Sequence, residues 1–353
     1  MSLALGAHAV VRGHQISLGY ADEGDMVAAY AAAGVSCWPC PARPLAVRRP
    51  MTAARSIASA VRLVRRTRAQ VLFTSQVSYV ALLAAVKALT GVRTAVHLGL
   101  VYDYPSPVFW RGVQSIDVGI APSAHTAAGW RERGWPDATL RIIPNGVDTT
   151  VFCPGERAVA RRALGLSSDE PVVAYVGRLV KEKGIFTLLR AMSEHRKSGG
   201  HGALIFVGDA PADEREQLAR LANDEGYAEA RLRILPATST PEIVYRAADV
   251  VVVPAEWDEP FGLVPLEAAA SGALVLVSAR GVLPQLVAPL GAAAVFPSAN
   301  VMALKDCLAR WLGESDSVRA EAARKLGEFV RANYSFDRCG DEYLDVFERL
   351  LAS

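Results

Sequence analysis

Two acids eight positions apart, Glu259 and Glu267, frame the tripeptide Pro260-Phe261-Gly262. Carboxylates accept hydrogen bonds from hydroxyl groups, and a glycine ahead of a helix start lets backbone N–H groups approach an anion. A second group stands earlier in the chain: Gly177-Arg178, followed by Lys183-Gly184. Two cations at the end of a strand can neutralise a diphosphate that departs with negative charge. Acids for hydroxyls and cations for phosphates suit a ligand such as a nucleotide sugar. On the residues alone, solvated acids beside an ordinary turn and a basic turn before a helix remain open readings.

The elements that must position these groups follow from hydrophobic patterning. Val250–Val253 is an apolar, β-branched run of strand length, and residues 264–271 form an Ala-rich helix closed by Gly272. The acids therefore bracket the carboxyl end of a strand, where open α/β sheets bind ligands. Gly177-Arg178 directly follows a strand at 172–176.

The rest of the chain alternates in the same way. In the first part, strands are expected at 15–18, 35–38, 71–74, 93–98, 118–121 and 140–143, with helices at 25–33, 52–68, 79–89 and 124–132. After Pro144-Asn145-Gly146-Val147-Asp148 a polar stretch with Pro154 and Gly155 marks a domain boundary, placed between residues 148 and 149. Beyond a short helix at 158–164 and a loop at 165–171, strands are expected at 172–176, 203–207, 232–235, 250–253 and 274–277. Helices are expected from 184 to 196 and at 214–225, 241–248, 264–271, 282–287, 302–312, 318–333 and 336–351. Such alternation predicts parallel sheets covered on both faces, in two Rossmann-like halves.

Composition excludes several classes. With 353 residues of which 51% are hydrophobic, the chain is long enough and apolar enough for two cores. Its formal net charge of +2 names no partner, and nothing in it points to nucleic acid. No apolar run reaches the roughly 18 residues that span a bilayer, and no signal-peptide pattern opens the chain, so a cytoplasmic protein is expected. The five cysteines, Cys37, Cys40, Cys153, Cys307 and Cys339, are odd in number and scattered. Cys37-Trp38-Pro39-Cys40 has redox-motif spacing but opens no obvious helix, so structural cysteines are the expectation. Neither half has a Gly-x-Gly-x-x-Gly after a strand or a Gly-x-x-x-x-Gly-Lys-Ser/Thr loop, which argues against dinucleotide oxidoreductases and P-loop enzymes.

Gly177-Arg178-Leu179 through Lys183-Gly184, Glu259-Pro260-Phe261-Gly262 through Glu267, Ser271-Gly272 and Pro144-Asn145-Gly146-Val147-Asp148 together resemble the retaining glycosyltransferases of family four. The resemblance covers most of the chain from about Gly13, and the paired acids are its most specific part. It implies the GT-B fold, two Rossmann-like domains facing a central cleft, and transfer of a hexose-like sugar from a nucleotide-diphosphate donor to a hydroxyl acceptor with retention. It implies no metal and no cofactor beyond the donor. Arg178 and Lys183 are then expected on the diphosphate and Glu259 on the sugar hydroxyls. Gly177, Pro260, Phe261, Gly262 and Leu263 are expected near sugar and phosphate, and Glu267 on the ribose. Leu235 and Pro236 are expected beside the base, and Gly208 and Asp209 at the border of the crevice. His97, ending a strand, matches the family's histidine that faces donor sugar and acceptor. Asn145 and Asp148 are expected to shape the connection between domains. Residues 336–353 resemble the last helix, which packs back on the first domain, leaving 149–335 as the donor domain.

One departure stands out. Family members open with a strand, a Gly-rich loop and a long helix before a Gly-His pair, whereas here Gly13-His14 comes almost at once. The first domain is therefore expected to lack its usual first strand, with residues 2–12 as the end of the first helix.

Residues 1–100 hold three acids, Asp22, Glu23 and Asp25, against basic residues including Arg48, Arg49, Arg55, Arg62, Arg65, Arg66, Arg68, Lys87 and Arg93. This basic half is either a solvated face or a dock for anionic lipid, which would place the protein at the inner membrane face beside a glycan or lipid-linked acceptor. The function expected is glycosyl transfer in polysaccharide or glycoconjugate synthesis. A non-catalytic nucleotide-sugar binder and a nucleotide-sugar epimerase of the same fold are the alternatives.

Overall fold

The structure is a computed structural model that describes residues 2–45, 49–104, 106–167, 170–227 and 231–352. Arg48 of the basic half, and Ser168 and Asp169 of the expected loop, lie outside the described residues. The chain divides into two compact units, Met1–Asn145 with Asp337–Ser353, and Gly146–Phe336. Val147, placed by sequence in the first domain, donates its N–H to Tyr334 O at 2.8 Å and accepts from Phe336 N at 2.9 Å, which ties the connection to the second unit.

The first unit runs α1 (Ser2–Val11), β1 (Ser17–Tyr20), α2 (Asp25–Ala32), β2 (Ser36–Pro39), α3 (Pro50–Thr67), β3 (Val71–Thr74), α4 (Val80–Thr90), β4 (Arg93–His97), α5 (Pro107–Val113), β5 (Val118–Ala121), α6 (Ala124–Glu132) and β6 (Leu140–Ile142). The second runs α7 (Arg157–Ala163), β7 (Val172–Val176), α8 (Ile185–Lys197), β8 (Ala203–Val207), α9 (Ala212–Asp224), β9 (Leu232–Leu235), α10 (Pro241–Ala247), β10 (Val250–Val253), α11 (Leu263–Ala270), β11 (Leu274–Ser278), α12 (Leu283–Leu286), β12 (Val295–Phe296), α13 (Val301–Gly313) and α14 (Asp316–Tyr334). A last helix, α15 (Phe336–Ala352), returns to the first unit.

All six strands of the second unit pair in parallel, in the order β12-β11-β10-β7-β8-β9. Strands buried on both faces read as unbroken apolar runs rather than alternating ones, and β8 and β11 are buried throughout. Their carboxyl ends carry Arg178, Asp209, Pro236, Glu256 and the loop to Gly262.

In the first unit the strands fall into two sheets, β3-β4-β5-β6 and the separate parallel pair β1-β2. The break lies between β1 and β3, where the sequence reading leaves out a central strand. Burial agrees: β5 is buried throughout, whereas β1 alternates exposed and half-buried residues and β3 is half-buried. On one face α3 places Leu63 against Gly19 of β1, while Ala60, Val61 and Val64 share a cluster with Leu72 of β3. On α3 the buried Ser56, Ser59, Ala60, Val61 and Val64 recur at helical spacing, and Arg55, Arg62, Arg65 and Arg66 face outward.

Three local expectations are corrected. The first strand lies at Ser17–Tyr20 instead of 15–18, because Gly19 lies within the strand: a Cβ there would sit 2.7 Å from Leu63 Cδ2. Helix α5 and strand β12 were not anticipated. The first is seven residues containing Trp110 and Gly112, and the second is two residues, too short for any period to show.

Candidate functional site

The cationic loop after β7 is held by backbone contacts. Leu179 N–H donates to Asp209 O at 2.8 Å, Gly177 N–H to Val207 O at 3.0 Å, and Gly208 N–H to Leu235 O at 3.1 Å. Gly208 has φ +154, and a Cβ there would lie 1.9 Å from Gly177 O. Gly177, Arg178, Gly208, Asp209, Leu235 and Pro236 are thus assembled from three adjacent strand ends. The Tyr175 hydroxyl donates to Arg178 O at 2.7 Å, and burial of the phenol raises its pKa, so it stays protonated. The Arg178 guanidinium is 68% exposed and has Glu182 at 3.8 Å as an ion-pair partner. It is available to a ligand.

Lys183 and Glu259 come together. Lys183 Nζ lies 2.8 Å from Glu259 Oε2, Trp257 Nε1 donates to the same oxygen at 3.0 Å, and Nζ stands 4.4 Å from the Trp257 ring centroid. Both contacts fall on Oε2. Val282 N–H donates to Glu259 O at 3.2 Å. Phe261 is buried and meets the Tyr334 ring edge-on at 6.1 Å, which pins the loop to α14. Gly262 with φ +80 is the N-cap of α11, and Leu263 begins the helix, so the first amides of α11 have no partner within it.

Glu267 sits one turn further along α11. The Tyr245 hydroxyl donates to Glu267 Oε2 at 2.8 Å, and burial raises the Glu267 pKa from its ordinary value. Glu256, at the start of the same loop, accepts from Thr187 Oγ1 at 2.6 Å and donates its N–H to Glu182 O. It links the loop to α8.

His97 belongs to the first unit, where it ends β4. It is 7% exposed, burial pushes its pKa down to about 4, and its Nδ1 lies 2.7 Å from Tyr343 Oη on α15. Asp148 Oδ1 caps the turn after it, accepting from Thr150 N at 2.9 Å and Thr150 Oγ1 at 2.6 Å. Cys37 lies in β2 and Cys40 just beyond it, and the cysteines are thiols that form no disulfide.

Sequence reasoning missed the aromatic partners Tyr175, Tyr245, Trp257 and Tyr343. Trp257 lies two positions before Glu259. The others are joined to their partners by tertiary contact, for which a single sequence carries no signal.

Parallel sheets with acids and cations at their strand ends make this an α/β protein with a polar site at the carboxyl ends of its strands, and comparison identifies its family. Residues 156–332 match the family of glycosyl transferases group 1, and residues 2–151 match glycosyltransferase family 4. The chain belongs to the group 1 glycosyl transferases. It is similar to the D-inositol 3-phosphate glycosyltransferases of Mycobacteroides abscessus, with 35% identity over 219 residues, 61% of this chain and 47% of that one, and of Nocardia farcinica, with 33% over 219 residues, 60% and 48%. The matched stretch spans about half the length of these curated relatives.

Among solved structures, sucrose-phosphate synthase from Thermosynechococcus elongatus superposes with a TM-score of 0.79 at 24% identity, over 99% of this chain and 92% of that one. Anabaena Alr3699/HepE in complex with UDP gives 0.84 at 17%, over 99% and 96%. The fold is GT-B. Among the described residues no three His, Cys, Asp or Glu side chains converge as a metal site would, and no helix is long and apolar enough to cross a membrane.

Proposed function

We propose that this chain transfers a hexose from a nucleotide-diphosphate donor to a hydroxyl acceptor, with retention and without a metal, in polysaccharide or glycoconjugate synthesis. The observation that carries the reading is that Lys183, in the loop after β7 that also holds Arg178, and Trp257, after β10, both meet Glu259 Oε2, at 2.8 and 3.0 Å. The names of the curated relatives support glycosyl transfer, and Alr3699/HepE was solved with UDP and with UDP-glucose, which supports a nucleotide-sugar donor.

In this reading Arg178 and Lys183 hold the charge of the departing diphosphate, and stabilising charge as it develops lowers the barrier more than binding the ground state does. Glu259 Oε1 accepts from a sugar hydroxyl. Glu267 accepts from the ribose, with Tyr245 fixing its second oxygen. Leu235 and Pro236 flank the base, and the α11 amides with Gly262 and Leu263 meet phosphate or sugar oxygens. His97 serves substrate from the first unit. The leaving diphosphate stays beside the acceptor and takes its proton, which delivers the acceptor to the face the diphosphate vacates. A glycan or lipid-linked glycan is the acceptor class proposed. The exposed arginines of α3 support a peripheral position on an anionic membrane surface, the alternative being a solvated cationic face.

The test is a thermal-shift screen of nucleoside diphosphates and their sugars, followed by transfer assays. A ligand present at tenfold its Kd stabilises the fold by about 1.4 kcal/mol. Transfer abolished by Glu259→Ala and Arg178→Ala supports the enzyme. Donor binding without turnover on any acceptor would leave a nucleotide-sugar binder, and isomerised donor without acceptor an epimerase.

A further inference from the structure

The Tyr343 hydroxyl lies 2.7 Å from His97 Nδ1, and both residues are buried, Tyr343 completely. A phenol has one proton, and His97 is the only hydrogen-bond partner of the Tyr343 hydroxyl among the described residues. If Nδ1 carried the imidazole proton and donated to Oη, the phenolic proton would be left without an acceptor. That costs about 1–3 kcal/mol for a buried donor. The phenol is therefore the donor and Nδ1 the acceptor.

Resting on the reading of His97 as a substrate-facing residue, we propose that Tyr343 is a positioning residue that locks His97 in the tautomer protonated at Nε2. The imidazole then offers substrate a hydrogen-bond donor and not a base. A neutral imidazole has one donor and one acceptor nitrogen, so engaging Nδ1 as acceptor settles the other.

The surroundings hold this arrangement. Burial lowers the His97 pKa to about 4 and raises that of Tyr343, so both partners are neutral over the physiological range. The Tyr343 ring is fixed edge-on by Phe73 at 6.0 Å and by Phe347 at 6.1 Å. Helix α15 is itself anchored to α1, where Asp341 meets His8 Nε2 at 2.8 Å and Arg12 at 2.7 Å. Nε2 is the nitrogen on the Gly99 side of the ring, since a Cβ on Gly99 would lie 3.0 Å from it.

The experiment is nitrogen-15 NMR of the histidine-labelled full chain at pH 7, with steady-state kinetics of variants. Expected for the parent protein is the Nε2–H tautomer at His97. Expected for Tyr343→Phe is a mixed tautomer and a kcat lower by about three- to tenfold, the worth of one hydrogen bond, with donor KM within twofold. His97→Gln, which keeps a donor near the Nε2 position, retains more turnover than His97→Ala, and adding Tyr343→Phe to His97→Ala lowers kcat no further. An Nδ1–H tautomer in the parent protein overturns the proposal, as does an equal Tyr343→Phe loss with and without His97. Unchanged turnover in His97→Ala overturns the functional reading of His97, and the tautomer spectrum separately decides the geometry.

Discussion

Lys183 and Glu259, 76 positions apart in sequence, form an ion pair of 2.8 Å with the Trp257 ring against the ammonium. The cation meant for phosphate and the acid meant for sugar thus neutralise each other in a partly shielded site, their side chains 19% and 13% exposed. On the proposed function, a bound diphosphate would draw Lys183 toward new negative charge and release part of Glu259 for a hydroxyl.

Lys183→Ala should accordingly weaken nucleoside diphosphate binding by at least about tenfold, and Glu259→Gln should lower turnover by roughly a hundredfold while keeping the Trp257 bond. Titration calorimetry and transfer kinetics measure the two. A double variant no worse than the weaker single one would show that the residues act as a unit; independent, additive losses would refute the coupling.

At Glu267, function opposes stability. Burial raises its folded-state pKa, so the folded state binds more protons than the unfolded one between the two pKa values, and stability falls as pH rises through that window. Glu267→Gln removes this loss while keeping an oxygen for Tyr245. The variant should melt higher than the parent at pH 7 and bind nucleotide about tenfold more weakly. Melting curves at pH 4 and 7 check the sign, the gain being confined to the higher pH.

Gly208→Ala places a methyl 1.9 Å from Gly177 O, between two backbones that cannot swing aside as a side chain would. Overpacking of this kind costs about 1–3 kcal/mol. Because the same contact sets Gly177 and Arg178, nucleotide affinity should fall along with the denaturation midpoint, whereas an alanine at Gly134, which has no neighbour within 4 Å, should leave affinity unchanged.

Acid should destabilise the first unit through His97. Its folded-state pKa of about 4 lies below the ordinary 6.5, so the unfolded state takes up the proton first. This contribution is complete above pH 6.5 and is lost as pH falls toward 4, amounting to about 3 kcal/mol at most. In His97→Gln the denaturant midpoint should vary less between pH 7 and 5 than in the parent.

The α3 face should bind anionic vesicles. Arg55, Arg62, Arg65 and Arg66 are exposed on it with Arg68 just beyond, Met51 is 71% exposed at its start, and the helix contains no acid. Flotation with phosphatidylserine vesicles at low salt should recover the protein, and neutral vesicles or Arg62→Glu with Arg65→Glu should not. Failure to float with anionic lipid refutes the membrane placement.

Much of the second unit was legible because strands such as 203–207 and 274–277 are fully buried apolar runs. Its site loops carry their chemistry within a few residues of those strand ends. The first unit was less legible: Gly19 reads as a terminator, yet it is a strand residue that admits Leu63. The Lys183–Glu259 and His97–Tyr343 pairs are 76 and 246 positions apart, and no local period encodes separations of that length. Residue types at the site were visible, but the partner each one would use was not.

The return of α15 to the first unit sets the order in which a nascent chain matures. Tyr343, Phe347 and Asp341, which pack on Phe73, His97 and His8, are made after the whole of Gly146–Phe336. At about 5–20 residues per second, translating that intervening unit takes roughly 10–40 s. The first unit therefore waits with Phe73 and His97 uncovered by α15 while the later unit completes its core. Slowing the ribosome across codons 146–336 would lengthen the exposure.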